Sequence, residues 1–169
     1  MSTMSKKAAA YGRTVDFGLR VHVIVRETED EAKEAAKSLM SHIDEEIGTE
    51  IRDRALDAKS LGVARQGEMR DESDADGFVE DHLWTGIGKA RSGCGAAIVG
   101  DPDQVYKKLM SYMALGIRSF ILSGYPHLEE CRLFAKYVLP RLKTCSLPHV
   151  LGRVPSDIPQ TPLGVGIRR

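Results

Sequence analysis

The sequence has little of what defines several protein classes. Cysteine is scarce, with only Cys94, Cys131 and Cys145 in 169 residues. An odd number of cysteines without a CxxC pair argues against a disulfide framework or structural zinc, and favours reduced thiols in a cytoplasm. No apolar run approaches the roughly 20 residues of a membrane span, and the first residues lack the apolar centre of a signal peptide. We therefore expect a soluble, cytoplasmic protein.

An excess of one charge is also missing, because 24 basic residues balance 24 acidic ones. A neutral chain gives no reason to expect nucleic acid or an acidic membrane as partner. Three histidines, His42, His82 and His149, have no metal-ligand spacing. In GIGKA the lysine is followed by Ala90 rather than Ser or Thr, so the P-loop pattern fails. A Ser/His/Asp arrangement is not visible.

The sequence does have alternating strand and helix patterns. They predict strand 17–25, a helix capped by Thr28 and Glu31 that runs to Gly48, a short strand in AAIVG, a helix between Asp101 and Gly116, strand 117–122 and a helix up to Pro140. Such alternation predicts a parallel α/β fold. Two or three strands are too few for a complete (β/α)8 barrel of about 250 residues. They are also too few for a full doubly wound sheet, so the chain either pairs with another copy or another protein, or is a piece of a longer one.

Two segments lack a clear period. From residue 49 to 82 the chain is charged and poor in apolar anchors, which is typical of a functional loop or of a solvated tether. Residues 144–169 contain proline and glycine without periodicity, which predicts an extended tail. We therefore divide the chain into a domain over 1–143, with a mobile insertion at about 49–82, and a tail over 144–169.

Arg20 and His22 are the first candidate site residues. They lie two apart in strand 17–25 and therefore side by side on one face, opposite Leu19 and Val21. The arginine fork suits carboxylate, phosphate or sulfonate oxygens, and histidine can move a proton near neutral pH. The alternative is an edge strand whose polar face meets water. If the pair lies at the mouth of a site, we expect the strand to end or bulge near Val23.

Two loops carry the remaining candidates. Arg91 lies in a glycine-rich segment that could be a hinge or a lid carrying one cation. Tyr125, in SGYPH, follows strand 117–122, where a phenol could donate a proton; the alternative is a turn that only breaks the strand. Cys131 is predicted on the apolar face of the last helix, together with Leu128, whereas Cys94 could be exposed.

Three blocks of sequence are similar to one family. GLRVHVIVRETEDEA, LWTGIGKARSGCGAAIVGDPDQV and LGIRSFILSGYPHLEE resemble the C-terminal part of FMNH2-dependent alkanesulfonate monooxygenases, over about Tyr11–Leu142. These enzymes belong to the bacterial luciferase-like flavin family, whose fold is a TIM barrel. The resemblance implies that reduced FMN, supplied by an NAD(P)H-dependent FMN reductase, acts with O2 on the C–S bond of an alkanesulfonate. Aldehyde and sulfite are the implied products.

The resemblance also implies roles for single residues. Arg20 and Arg91 would bind the sulfonate, and Arg91 would help to close the site. His22 and Tyr125 would contact the flavin, and His22, Arg91 and Tyr125 would be catalytic. The family's N-terminal half has no counterpart here, and none of the three cysteines matches its active-site cysteine.

Three interpretations follow from the missing half. The chain could be an enzyme subunit completed by a separate N-terminal half, an inactive truncated product, or a non-catalytic module that pairs with itself or with another protein.

Overall fold

The computed structural model describes residues 1–41, 44–54, 60–89 and 94–144. Within them lie six helices and five strands, and two short 3-10 turns at Gly86–Lys89 and Leu139–Arg141. The helices are α1 (Ser2–Ala9), α2 (Glu29–Met40), α3 (Glu45–Asp53), α4 (Leu61–Asp71), α5 (Pro102–Ala114) and α6 (His127–Tyr137). The strands are β1 (Phe17–Val25), β2 (Phe78–Glu80), β3 (Leu83–Trp84), β4 (Ala97–Gly100) and β5 (Ile117–Ser123).

The strands form one mixed sheet in the order β2-β3-β4-β1-β5. β1 lies between β4 and β5 and pairs in parallel with both, while β3 runs antiparallel to β2 and β4. The predicted α/β class is confirmed. The partial TIM barrel implied by the family resemblance stays a prediction: a (β/α)8 barrel places each strand beside the next in the chain, whereas here β1 lies between β4 and β5. No described helix is long and apolar enough to cross a membrane.

The two faces of β1 pack against different helices. Val21, Val23 and Val25 form one buried cluster with Val105 and Leu109 of α5, and α6 packs against the same cluster. On the other face Ile24 packs against the alanines of α2 and against Trp84. Full burial of an aliphatic side chain contributes about 1.5–3 kcal/mol, so these two layers hold the central strand in place.

The predicted end of β1 near Val23 is wrong. The strand continues to Val25, whose register partner in β4 is Gly100, and the register irregularity lies instead at Phe17/Gly18. The cause is the parallel pairing of Val23–Val25 with Ile98–Gly100 of β4, which keeps the backbone extended beyond His22, the last residue of β1 that pairs with β5. His22 therefore lies inside the sheet rather than at a strand end.

The helix predicted to run from Thr28 to Gly48 begins with the predicted capping box but ends at Met40. Gly48 lies within α3, and Ile47, predicted to be buried, is exposed. The segment 49–82 also contains helix α4, which the periodicity did not reveal. Ser60 caps the start of this helix, because its side-chain oxygen accepts a hydrogen bond from the backbone N–H of Val63. The mobility of the insertion stays a prediction, and residues 145–169 of the predicted tail lie outside the described residues.

The predicted face of α6 is rotated. Leu128 is 64% exposed and Cys131 is also exposed, whereas Glu130 is turned inward. The ion partner of Glu130, described below, explains this rotation. Cys94, in contrast to Cys131, is buried.

Tyr112 on α5 makes the fold sensitive to alkaline pH. Burial, with Glu80 nearby, raises the pKa of its phenol to about 12, and the phenol donates to the Glu80 carboxylate at 3.4 Å. The unfolded chain releases this proton near the ordinary value of about 10, so the folded state binds more protons between those values and loses stability as pH rises. We expect Tyr112→Phe to flatten the fall of unfolding free energy above pH 10, measured by urea denaturation. An unchanged slope in this variant would contradict the assignment to Tyr112.

Candidate active site on the open face of the sheet

Arg20 and His22 lie on the same face of β1, as predicted. Their register partners on β5 are Ile121 and Ser123, and side chains at paired positions of parallel strands point to the same side. We call this surface of Gly18, Arg20, His22 and their β5 partners the open face. Helix α2 covers its far end at Ile24 but leaves Arg20 exposed.

The two predicted residues differ sharply in burial. His22 is only 2% exposed, whereas Arg20 is exposed. Ile121, the register partner of Arg20, is 65% exposed. Within the described ranges, no hydrogen bond or ion pair engages the Arg20 guanidinium. The open face therefore presents an unengaged cation next to an exposed aliphatic side chain, and a protected imidazole behind them.

The His22 ring is held by several contacts. Its Nδ1 lies 2.9 Å from the Ser123 Oγ, and the His22 backbone N–H donates to the Ala96 carbonyl at 3.0 Å. The Tyr125 ring lies tilted, with its centroid 5.4 Å from that of His22. Tyr125 also makes an edge contact with His127, at 4.6 Å between centroids. The structure thus brings the predicted Tyr125 and His22 together, and adds Ser123, which sequence reasoning missed.

An ion pair that the sequence did not reveal holds the β5–α6 turn in place. Arg26 donates to both carboxylate oxygens of Glu130, at 2.7 and 3.1 Å, and to the Val25 carbonyl at 2.8 Å. The Glu130 side chain is only 3% exposed. A Cβ on Gly124 would lie 2.6 Å from the Glu130 Cβ, so glycine permits this close approach. The available signal was a charged residue directly after a buried strand.

Cys94 connects the end of the glycine-rich segment to β1. Its Sγ lies 3.5 Å from the carbonyl oxygens of Arg20 and of Ala96, which are on the two neighbouring strand segments. The buried thiol therefore helps to fix the backbone from which the Arg20 side chain extends. Arg91 lies outside the described residues, and its role in closing the site stays a prediction.

The open face can be compared with the chemistry of a flavin. A flavin ring has a wide apolar plane, and FMN carries a phosphate, so its site needs exposed apolar surface, aromatic neighbours and cations. Ile121, Arg20 and the Tyr125–His127 pair supply these three kinds of contact at one surface. The described residues therefore fit one wall of such a site. They contain no group of His, Cys, Asp and Glu side chains able to hold a metal ion.

Comparison with known proteins identifies the family. The model of the luciferase-like monooxygenases matches residues 1–119. The chain belongs to the luciferase-like monooxygenase family. The family-level resemblance expected from the sequence is thus confirmed.

Two curated proteins are strongly similar to this chain in sequence. A sulfoquinovose monooxygenase of Agrobacterium fabrum is 58% identical over 168 residues, which are 99% of this chain and 44% of that protein. A sulfoquinovose monooxygenase of Novosphingobium aromaticivorans is 61% identical over 142 residues, 84% of this chain and 39% of that protein. The chain therefore spans less than half the length of these relatives.

One solved structure was also compared with this chain. A coenzyme F420-dependent tetrahydromethanopterin reductase of Methanopyrus kandleri superimposes with a TM-score of 0.44 and 21% identity, covering 84% of this chain and 41% of the reductase. For this luciferase-like monooxygenase chain, the family assignment rests on the sequence matches.

Proposed function

We propose that the chain is the C-terminal part of a reduced-flavin-dependent monooxygenase that cleaves the C–S bond of an organic sulfonate. The observation that carries this proposal is Arg20, an unengaged guanidinium on the open face beside the exposed Ile121. The identity to proteins named as sulfoquinovose monooxygenases favours sulfoquinovose, a sugar sulfonate, as the substrate.

Arg20 is the residue that binds the sulfonate. A sulfonate is a permanent anion with three oxygens, and the planar guanidinium can donate two parallel hydrogen bonds to them. Such bonds gain strength where water is excluded, because the local dielectric is low. Arg91, on the glycine-rich segment, supplies a second cation when that segment covers the site.

His22 and Tyr125 form the wall beside the flavin. The Tyr125 phenol follows the end of β5 and donates a hydrogen bond to the ligand, while its ring lies against His22. His22, protected from water, holds or transfers a proton. When bound, reduced FMN supplies the two electrons that let O2 yield one water molecule and one oxygen atom inserted at carbon; the products are an aldehyde and sulfite.

The proposal includes partners that the chain itself does not supply. The segment that precedes it in the longer relatives would complete the flavin site, either in one polypeptide or as a separate half that assembles with it, and the enzyme could form homo-oligomers. An NAD(P)H-dependent FMN reductase in the cytoplasm would deliver the reduced flavin. Simple alkanesulfonates are a second candidate substrate class, because Ile121 gives the open face an aliphatic surface beside Arg20.

Complementation tests the proposal. We would co-express this chain with the N-terminal part of the Agrobacterium fabrum relative, purify the complex, and measure sulfite release with reduced FMN, O2 and either sulfoquinovose or octanesulfonate. We expect sulfite from sulfoquinovose, with kcat/KM at least about tenfold above that for octanesulfonate. The reverse preference would move the assignment to alkanesulfonates.

Two controls are needed to interpret a negative result. Each part alone, and the complex with oxidised FMN, should release no sulfite. A stable complex that releases none from either substrate would overturn the proposal. An inactive truncated chain would then aggregate or remain unpaired, whereas a non-catalytic pairing module would give a discrete dimer by light scattering without binding FMN.

A further inference from the structure

Helix α4 lies within the charged segment 49–82, yet one of its faces is covered. Its half-buried residues recur three or four positions apart, which is the spacing of a helix that packs along one side; they include Val63, Gln66, Gly67 and Arg70. Met69, next to this stripe, packs against the buried cluster that contains Val21 and Val23. Helix α4 is therefore anchored to the sheet rather than solvated on all sides.

The covered face of α4 lies against two glycines of the glycine-rich segment. A Cβ on Gly95 would lie 2.6 Å from the Gln66 Oε1 and 2.8 Å from its Cγ and Cδ. One turn further along α4, Arg70 lies against Gly88, where a Cβ would be 3.0 Å from the Arg70 Nη1 and 3.0 Å from the Gly95 carbonyl oxygen. Side chains of α4 thus fill the space beside Gly88 and Gly95, and the backbones of these two glycines lie close together.

The residues on either side of Gly95 hold both candidate residues of β1. The Cys94 Sγ lies 3.5 Å from the Arg20 carbonyl oxygen. The Ala96 carbonyl accepts a hydrogen bond from the His22 backbone N–H at 3.0 Å. Because Gly95 links Cys94 directly to Ala96, a displacement of its backbone would disturb both contacts.

We propose that Gln66 is a positioning residue, whose side chain packs against Gly95 and keeps residues 94–96 in contact with the backbone of Arg20 and His22. The inference rests on the proposed function for the roles of Arg20 and His22, whereas the contacts belong to this chain alone. Gln66 acts through the backbone that it packs against and does not touch the substrate. The charged segment 49–82 thereby contributes to the site through packing rather than through a ligand contact.

The buried Cys94 thiol reports on this packing. In a chain that also carries Cys131→Ser and Cys145→Ser, the remaining thiol reacts with DTNB only when residue 94 leaves its buried position. We expect Gln66→Ala to speed this reaction about five- to tenfold, the effect of a typical single substitution on a local equilibrium. Gln66→Met, which keeps a side chain of similar length, should stay within about twofold of the parent rate.

The matched control is Arg65→Ala. Arg65 is the neighbour of Gln66 on α4 but is exposed, so its removal should leave the labelling rate unchanged. An unchanged rate in folded Gln66→Ala would overturn the proposal, as would an equal acceleration in Arg65→Ala. An acceleration in Gln66→Met as large as that in Gln66→Ala would also overturn it, because the proposed role is packing.

A second pair of variants tests the contact with Gly95 itself. Gly95→Ala places a methyl group in the space of the Gln66 side chain, so it should also speed the labelling of Cys94. In Gly95→Ala/Gln66→Ala that space is free, and the combined effect should be clearly smaller than the product of the two single effects. Single effects that multiply would overturn the proposal. If circular dichroism shows that Gln66→Ala does not fold, Gly95→Ala carries the test, and an unchanged rate there would overturn the proposal.

Kinetics of the complemented enzyme separate positioning from a general loss of folded protein. We expect Gln66→Ala to raise KM for the sulfonate about fivefold, because the backbone that carries Arg20 is displaced, whereas a smaller folded fraction would lower only the apparent kcat. An unchanged KM would overturn the proposal. Because thiol labelling uses the chain alone and needs no activity, failure of the proposed function and failure of this inference can be distinguished.

Discussion

Replacing Glu130 by alanine should lower the free energy of unfolding by about 3 kcal/mol, the lower part of the range for breaking a buried ion pair. The reason is the asymmetry of the pair: the Glu130 carboxylate is almost fully buried, while the Arg26 side chain is 23% exposed. Without Glu130, the one hydrogen bond that Arg26 keeps among the described residues is to the Val25 carbonyl, which leaves its charge poorly compensated at the end of β1. Urea denaturation followed by circular dichroism measures this loss.

Glu129 is the matched control. It lies beside Glu130 in the first turn of α6 but is exposed, so Glu129→Ala should change stability by no more than about 0.5 kcal/mol. The double variant Arg26→Ala/Glu130→Ala should be clearly less destabilised than the sum of its single variants, because the two residues interact directly. Additive effects would mean that the two side chains stabilise the fold independently, which would contradict the ion pair between them.

Local patterns correctly predicted much of the fold. The pattern over 17–25 matches the bounds of β1, because alternation of Leu19, Val21 and Val23 is a period-two signal; only the earlier end near Val23, expected from the position of the site, was wrong. The capping box at Thr28 and the N-cap at Asp101 were also correct, since a cap depends on residues within three positions of one another. Such features are encoded within a few residues of one another and need no knowledge of the tertiary structure.

Features that depend on distant residues were missed or misplaced. Arg26 and Glu130 are 104 residues apart, so neither local pattern indicates that the charge on α6 points inward and rotates the helix face. The sequence left open whether Cys94 is exposed, and the structure shows it buried against the carbonyls of Arg20 and Ala96. The order of the strands likewise follows from packing rather than from periodicity.

The candidate site shows the same division. The sequence placed Arg20 and His22 side by side, which is a property of strand geometry alone. It did not show that one would be exposed and the other buried, because that depends on where α2 ends and on the Tyr125 ring. The exposed guanidinium and the buried imidazole therefore lie at different depths of one surface.

Arg20→Ala should lower kcat/KM for the sulfonate about 100-fold in the complemented enzyme. Loss of a desolvated, charge-assisted contact costs about 2–5 kcal/mol, and tenfold corresponds to 1.4 kcal/mol. The loss should appear mainly as a higher KM, because the sulfonate charge is present before the reaction begins. Arg20→Lys should recover only part of it, since an ammonium keeps the charge but lacks the planar fork.

The control is Arg132→Ala, which removes an exposed arginine of α6 and should leave kcat/KM within about twofold, since surface substitutions usually have small effects. Titration calorimetry with the substrate in the absence of reduced flavin separates binding from chemistry. If Arg20→Ala binds the sulfonate as tightly as the parent complex, the anion contact lies elsewhere. If Arg20→Lys has the same kcat/KM as the parent enzyme, the site recognises only the charge of the residue. The sulfonate would then not be held by two parallel hydrogen bonds from a guanidinium.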